Sequence, residues 1–251
     1  MLARFQGEDG LVAYRSPLLA EHGIPHLFTT RIGGADELDL GTEAARARVA
    51  RAAGLAGAPV VAVRQVHGAR IVTLGPAALP EPLTEADGLV SERADLLVAV
   101  HVADCVPVLL AAADGRRVAA VHAGWRGLVA GVLPRALEAL GPGPRLAAIG
   151  PCVSRVRFEV GPEVAAEFER VGLAAAIHPG PRERPHVDLR AAAALQLAAG
   201  GVALVDSTDR CTYEHAAEFY SYRREVTHGG RARTGRLAAL IACRSGFSPR
   251  R

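Results

Sequence analysis

Two short apolar runs, Leu96 to Val102 and Val118 to Val121, constrain this chain more than any other feature. Each is rich in β-branched residues and short for a helix, so each reads as a strand. The first breaks into Ala103-Asp104-Cys105 and the second into His122-Ala123-Gly124-Trp125-Arg126-Gly127. A β-branched run from Val60 to Val66 ends in the same manner, at His67-Gly68, and Arg70 to Leu74 reads as its antiparallel return. Arg145 to Ile149 is another buried strand, and shorter ones are expected at Gly10 to Tyr14, His26 to Thr30, Leu89 to Ser91, Val202 to Val205 and near Leu237 to Cys243. Helical spacing predicts helices over Thr42 to Gly54, with Thr42 as N-cap and Gly54 as stop, and over Leu128 to Leu140, Pro162 to Val171 and Leu189 to Ala199. A proline-rich connection runs from Pro76 to Pro82, and Asp87-Gly88 is a turn signal. Strands and helices alternate without a dinucleotide or P-loop fingerprint. The reading is an α+β fold in which residues 1–251 form a single domain of mixed β-sheet layers flanked by helices.

Composition narrows the chemistry. Half the residues are hydrophobic, which suits a globular core. The net charge of +3 is small and its cations are scattered, so no nucleic-acid partner is expected. There is no lysine: all 29 basic residues are arginine, which excludes Schiff-base chemistry, a Walker-type lysine and a Ser–Lys dyad. Asparagine is absent too, which removes a Cys-His-Asn triad and N-glycosylation. Such a composition fits a thermophilic or GC-rich source. The N-terminus lacks a hydrophobic signal region, and the longest apolar stretch, Leu96 to Ala113, is interrupted by His101 and Asp104. A cytoplasmic protein with no membrane partner is expected. Four dispersed cysteines, Cys105, Cys152, Cys211 and Cys243, read as thiols and not as a disulfide framework.

His67, Cys105 and His122 each sit where an apolar strand gives way to small or polar residues, rigidly held yet accessible. Two imidazoles and one thiolate suit a borderline-soft ion such as zinc, with a fourth position open for water or substrate. The bland alternative has equal standing on spacing alone: a buried cysteine is often a small hydrophobe, and a lone histidine is often a core or surface residue.

Longer motifs carry a resemblance. Gln65-Val66-His67-Gly68, Ala103-Asp104-Cys105-Val106-Pro107 and the His122-to-Gly127 segment, in that order, resemble the signature of the laccase-domain family. That family was once labelled polyphenol oxidase or multicopper oxidase-like and is now associated with zinc-dependent purine nucleoside phosphorylase activity. Thr30-Arg31, Gly33-Gly34, Ala86-Asp87-Gly88, Gly150-Pro151-Cys152, Phe158-Glu159-Val160-Gly161, Cys211-Thr212, the Phe219-to-Arg224 segment and Thr234-Gly235-Arg236 agree with it. The resemblance implies His67, Cys105 and His122 as metal ligands and catalytic residues. It also implies a catalytic, phosphate-holding arginine at Arg46, with Arg31, Arg126 and Arg223 as further candidates. Two departures affect that edge of the site: Ala45 precedes Arg46 where asparagine is usual, and Asp39 replaces another asparagine.

The implied reaction is phosphorolysis of a purine nucleoside to free base and ribose 1-phosphate, with zinc as cofactor and copper as a less favoured one. Adenosine deamination by a metal-activated water and methylthioadenosine phosphorolysis are linked to the same family. His101 reads as a strand residue and not a ligand, Cys152 and Trp125 as packing, and Asp104 as either a turn former or a ligand-bonding group. Two rival activities use the same residues: a metal-free Cys–His hydrolase or deamidase, and copper-dependent polyphenol oxidation. A multicopper site needs further clustered histidines. The chain has nine histidines, no His-x-His pair, and Met1 as its only methionine.

Overall fold

The computed structural model describes all residues except 36, 39, 76–78, 82–83 and 245–251. Asp39 and most of the proline-rich connection therefore lie outside the described residues. The first strands are β1 (Ala3–Gln6), β2 (Leu11–Arg15), β3 (His26–Gly33), β4 (Val60–Val61) and β5 (Ile71–Leu74). Next come β6 (Gly88–Ser91), β7 (Leu97–Val102), β8 (Val106–Ala112), β9 (Val118–Ala123) and β10 (Arg145–Ile149). The last are β11 (Ile177–Pro179), β12 (Pro185–Val187), β13 (Leu204–Asp206) and β14 (Leu237–Ile241). The helices are α1 (Pro17–Glu21), α2 (Glu43–Ala52), α3 (Trp125–Val129), α4 (Val132–Leu140), α5 (Pro162–Arg170) and α6 (Leu189–Ala199).

Twelve of these strands make two six-stranded sheets, ordered β1-β2-β3-β14-β7-β4 and β13-β10-β8-β9-β6-β5, and both are mixed. Strand periodicity explains the layers. On β7, Val98, Val100 and Val102 pack into the space between the sheets, whereas Leu97 and Ala99 pack outward with Val49 and Ala50 of α2. On β8, Leu109 and Ala111 face that central space, while Val108 and Leu110 pack with Leu133 and Leu137 of α4 and Leu197 of α6. The order is helix, sheet, sheet, helices, which is the expected α+β arrangement of mixed sheet layers flanked by helices. Strands covered on both faces need no polar side, which is why they appear as continuous apolar runs.

Phe28 on β3 is one of the central anchors. It is 1 % exposed, and its ring lies so close to Gly150 that a Cβ there would sit 2.4 Å from it. Phe28→Ala should cost about 3–5 kcal/mol of unfolding free energy by urea titration. A loss below about 1 kcal/mol, the size of an average substitution, would show that the two sheets do not depend on this contact.

The caps follow local chemistry. Thr42 and Asp188 accept from the backbone N–H groups of Ala45 and Ala191, which starts α2 and α6. Three expectations are corrected. The strand expected over Val60 to Val66 stops at Val61, because Arg64 turns to bridge Glu85 and the Gln65 side chain takes over the pairing. Gln65 Nε2 donates to the His101 carbonyl and its Oε1 accepts from the His101 N–H, both at 2.7 Å. Ile71–Leu74 is no antiparallel return; it pairs in parallel with β6 in the other sheet. The single helix expected from Leu128 to Leu140 is α3 and α4, divided at Gly131, whose φ of 76° no helix continues through. Strands β1, β8, β11 and β12 and the short helix α1 were not anticipated. Among the described residues no helix is long and apolar enough to cross a membrane.

Candidate metal centre

Three neighbouring backbone segments bring the expected ligands together. Cys105 lies in the loop between β7 and β8, and His122 lies near the end of β9, where it pairs with Pro107 of β8. His67 follows the Gln65 contact and adopts a left-handed φ of 60°, uncommon for a side-chain-bearing residue. The donor atoms of His67, Cys105 and His122 all lie within 4.8 Å of one another. The two imidazole rings meet edge-on, with centroids 4.8 Å apart. His122 is buried, Cys105 is half-buried and His67 is exposed, so the group has a rigid back and an open front.

A fully buried carboxylate stands behind them. Asp87 Oδ1 accepts from His122 Nδ1 at 2.8 Å and from the His67 N–H at 2.9 Å, and Oδ2 accepts from the Gly68 N–H at 2.6 Å. Burial pushes the Asp87 carboxyl up, but His122 and these N–H donors outweigh it and hold the group below the usual carboxylate range. In the metal-free protein burial likewise pushes the Cys105 thiol up, and hydrogen bonding to His122 and His67 overrides this, bringing it down to about 6. His122, pulled down by burial, is raised to about 9 by its bonds to Asp87 and Cys105. Cys105 and His122 are therefore a thiolate–imidazolium pair near neutrality.

The metal-free pair has a testable consequence. The thiolate is the nucleophile, so iodoacetamide should label Cys105 at a rate that rises with pH through about 6, where an ordinary thiol rises near 9. Burial pushes Cys152 up to about 11 and Cys243 up to about 12, so both should stay unlabelled at pH 7. Peptide mass spectrometry reads each site; a Cys105 rate that rises only above pH 8 would contradict this pairing.

The residues fit a metal. Two imidazoles and a thiolate are a donor set for zinc or copper. Gly124 leaves the space beside them clear: a Cβ there would lie 3.0 Å from Cys105 Sγ, 3.2 Å from His67 Cδ2 and 3.8 Å from His122 Cε1. No other His/Cys/Asp/Glu group of this kind occurs among the described residues.

The trio lies on a cavity of about 1330 Å³. Arg31, Arg126 and Arg223 line it, and so do Arg231, Arg233 and Arg236. Arg223 is fixed by the carbonyls of Arg157 and Glu159, at 3.1 and 2.9 Å, with its guanidinium 4.8 Å from the Phe158 ring centroid. Arg31 contacts Glu37, lies 3.5 Å from Glu225 and stacks on Tyr220 at 4.7 Å. Arg126 lies over Trp125, 4.4 Å from its centroid. Arg46, the first candidate for the clamp, is placed differently from these arginines. It does not line the cavity; its guanidinium donates to the carbonyls of Leu40 and Gly41, which do.

Other expectations resolve in mixed ways. His101 lies outside the donor trio yet faces the cavity, and Trp125 both faces the cavity and packs on the core. Cys152 is fully buried away from the lining. Asp104 lines the cavity and does more than form a turn: Oδ1 accepts from the Thr212 hydroxyl at 2.6 Å and Oδ2 from the Arg223 N–H at 2.9 Å. It thereby ties the Cys105 loop to the six-residue π-helix Arg223–His228, an element frequent at functional sites. Asp87, Gln65, Glu225 and Tyr222 were not assigned site roles from sequence. For Asp87 the local pattern, an Asp-Gly pair, points to a turn and not to the distant groups that its carboxylate meets.

Known proteins resemble this chain over almost its full length. The purine nucleoside phosphorylase of Deinococcus radiodurans is 37 % identical, covering 92 % of this chain and 93 % of that protein. The purine nucleoside phosphorylase of Mycobacterium tuberculosis H37Rv is 40 % identical, covering 94 % and 95 %. The crystal structure of YlmD from Geobacillus stearothermophilus superposes with a TM-score of 0.82 at 27 % identity, covering 96 % and 99 %. The model of the family described as multi-copper polyphenol oxidoreductase laccase matches residues 25–244, a span that contains His67, Cys105 and His122 together with the Asp87 behind them, and the chain belongs to that family.

Proposed function

We propose that this chain is a zinc-dependent purine nucleoside phosphorylase working at His67, Cys105 and His122. One observation carries the reading: a three-donor His-Cys-His group with an open front on an arginine-lined cavity, in a chain whose relatives are named for that activity. Zinc held by these residues supplies Lewis-acid charge stabilisation when bound.

The chain's own residues account for the rest. A phosphate oxygen attacks the ribose C1′, the C1′–N9 bond breaks, and its electron pair leaves with the purine, which takes up a proton. Arg223 and Arg31 are oriented in advance by carbonyls and carboxylates, so they can hold phosphate at little ordering cost. Arg126, Arg231, Arg233 and Arg236 add positive charge around the phosphate where it meets the sugar. Arg46 acts at one remove, holding the Leu40–Gly41 wall. Trp125, Phe158 and Tyr222 supply aromatic surface for a base. Residues 1–251 work as one domain in this reading, supported by the central layer to which both sheets contribute. Four free cysteines suit a cytoplasmic setting.

A second reading has one specific support: Asp87, His122 and Cys105 have the connectivity of an acid–base–nucleophile triad. His67 favours metal, since such a triad leaves it without a task. Copper-dependent oxidation lacks the additional histidine cluster among the described residues. Elemental analysis of protein purified without added ions tests the assignment. About one zinc per chain is expected; no bound metal together with a substrate-acylated Cys105 would replace it with the hydrolase.

A further inference from the structure

We infer that Asp87 is the positioning residue that creates this metal site, an inference that rests on the zinc reading above. Its carboxylate is fully buried and touches two of the three ligand segments at once. Oδ1 occupies His122 Nδ1 at 2.8 Å, which leaves Nε2 as the ring atom free to bind metal. The same oxygen takes the N–H of His67 at 2.9 Å, and Oδ2 takes the N–H of Gly68 at 2.6 Å and of Val66 at 3.4 Å. Those donors converge because His67 is left-handed, and the carboxylate compensates for a conformation that L-residues avoid. The main chain repeats the link: the Asp87 carbonyl accepts from the His122 N–H at 2.8 Å, and its own N–H reaches the Arg70 carbonyl at 2.9 Å.

Four donors therefore meet one side chain, and only a carboxylate matches them. An amide of the same shape keeps one accepting oxygen and turns an NH2 toward the others. In Asp87→Asn, either His122 adopts the tautomer that places its proton on Nε2, or the His67 turn loses its acceptor. Both outcomes spoil the donor set while the trio itself is unchanged in sequence. Asp87 touches no substrate, so its effect is exerted through His67 and His122.

The test measures zinc affinity by chelator competition on wild-type and Asp87→Asn protein, alongside the melting curve of each metal-free form. A 10- to 100-fold weaker zinc Kd is expected, about the usual cost of losing a group that orients a metal-bound histidine. A folded variant with a Kd within twofold of wild type would overturn the inference. A second measurement needs no variant: nitrogen-15 spectra of zinc-loaded wild type should show His122 protonated at Nδ1 and metal-bound through Nε2. Coordination through Nδ1 would overturn it equally. Wild-type protein that binds no zinc at all would instead remove the reading on which the inference rests.

Discussion

Cys105→Ala should lower kcat/KM for phosphorolysis by about a thousandfold or more, equivalent to about 4 kcal/mol of transition-state stabilisation. Cys105 is the one anionic donor of the trio and, with Asp87, holds His122 in its charged form before metal arrives. Without it, two imidazoles remain, a neutral pair that holds zinc weakly and leaves the bound cation under-compensated. The fold should survive, because Cys105 sits half-buried in a loop where the cavity meets the edge of the layer between the sheets, and alanine removes only its sulfur. Zinc content and steady-state kinetics should fall together while the circular dichroism spectrum is unchanged. A variant within tenfold of wild type would mean that the thiolate is incidental.

Gly124→Val should be almost as damaging, and for a different reason. Gly124 has an extended backbone, with φ −73° and ψ 167°, that any residue can adopt. The obstacle is space: a Cβ meets Cys105 Sγ at 3.0 Å and His67 Cδ2 at 3.2 Å, and valine adds two methyl groups to it. Ligands displaced by even part of an ångström lose the preorganisation that catalysis requires, and misplacement of about 1 Å costs about a hundredfold. We expect a fall of that size in kcat/KM, with weaker zinc binding and a melting temperature near that of wild type. Wild-type kinetics would show that the open space beside the trio is not used.

Much of this could be read from the sequence, for identifiable reasons. β7, β9 and β10 are covered on both faces, so their apolar runs mark them whatever surrounds them. The helices α2, α5 and α6 announce themselves through caps and spacing, Thr42 and Asp188 among them. β8 was hidden by its abrupt start after Cys105 and by Pro107, a residue that usually argues against a strand interior. Register across space was not legible either: nothing in Ile71–Leu74 says that it joins the opposite sheet from Val60–Val61. The His67–Cys105–His122 trio was legible because each residue interrupts an apolar run inside an ordered set of motifs. Asp87 was not, since its side chain meets four donors brought in from residues 66–68 and 122. Arg46 shows the converse: a motif position predicts an arginine, but the Leu40 and Gly41 carbonyls decide where its guanidinium points.

The most direct test of the central claim follows products. Zinc-loaded protein is incubated with adenosine or inosine, with and without inorganic phosphate, and monitored by phosphorus NMR and chromatography of the bases. The account predicts ribose 1-phosphate and free purine in equal amounts, only when phosphate is present, and neither above background with Cys105→Ala. Purine release that ignores phosphate, or no release from zinc-loaded wild type with any purine nucleoside, would contradict it.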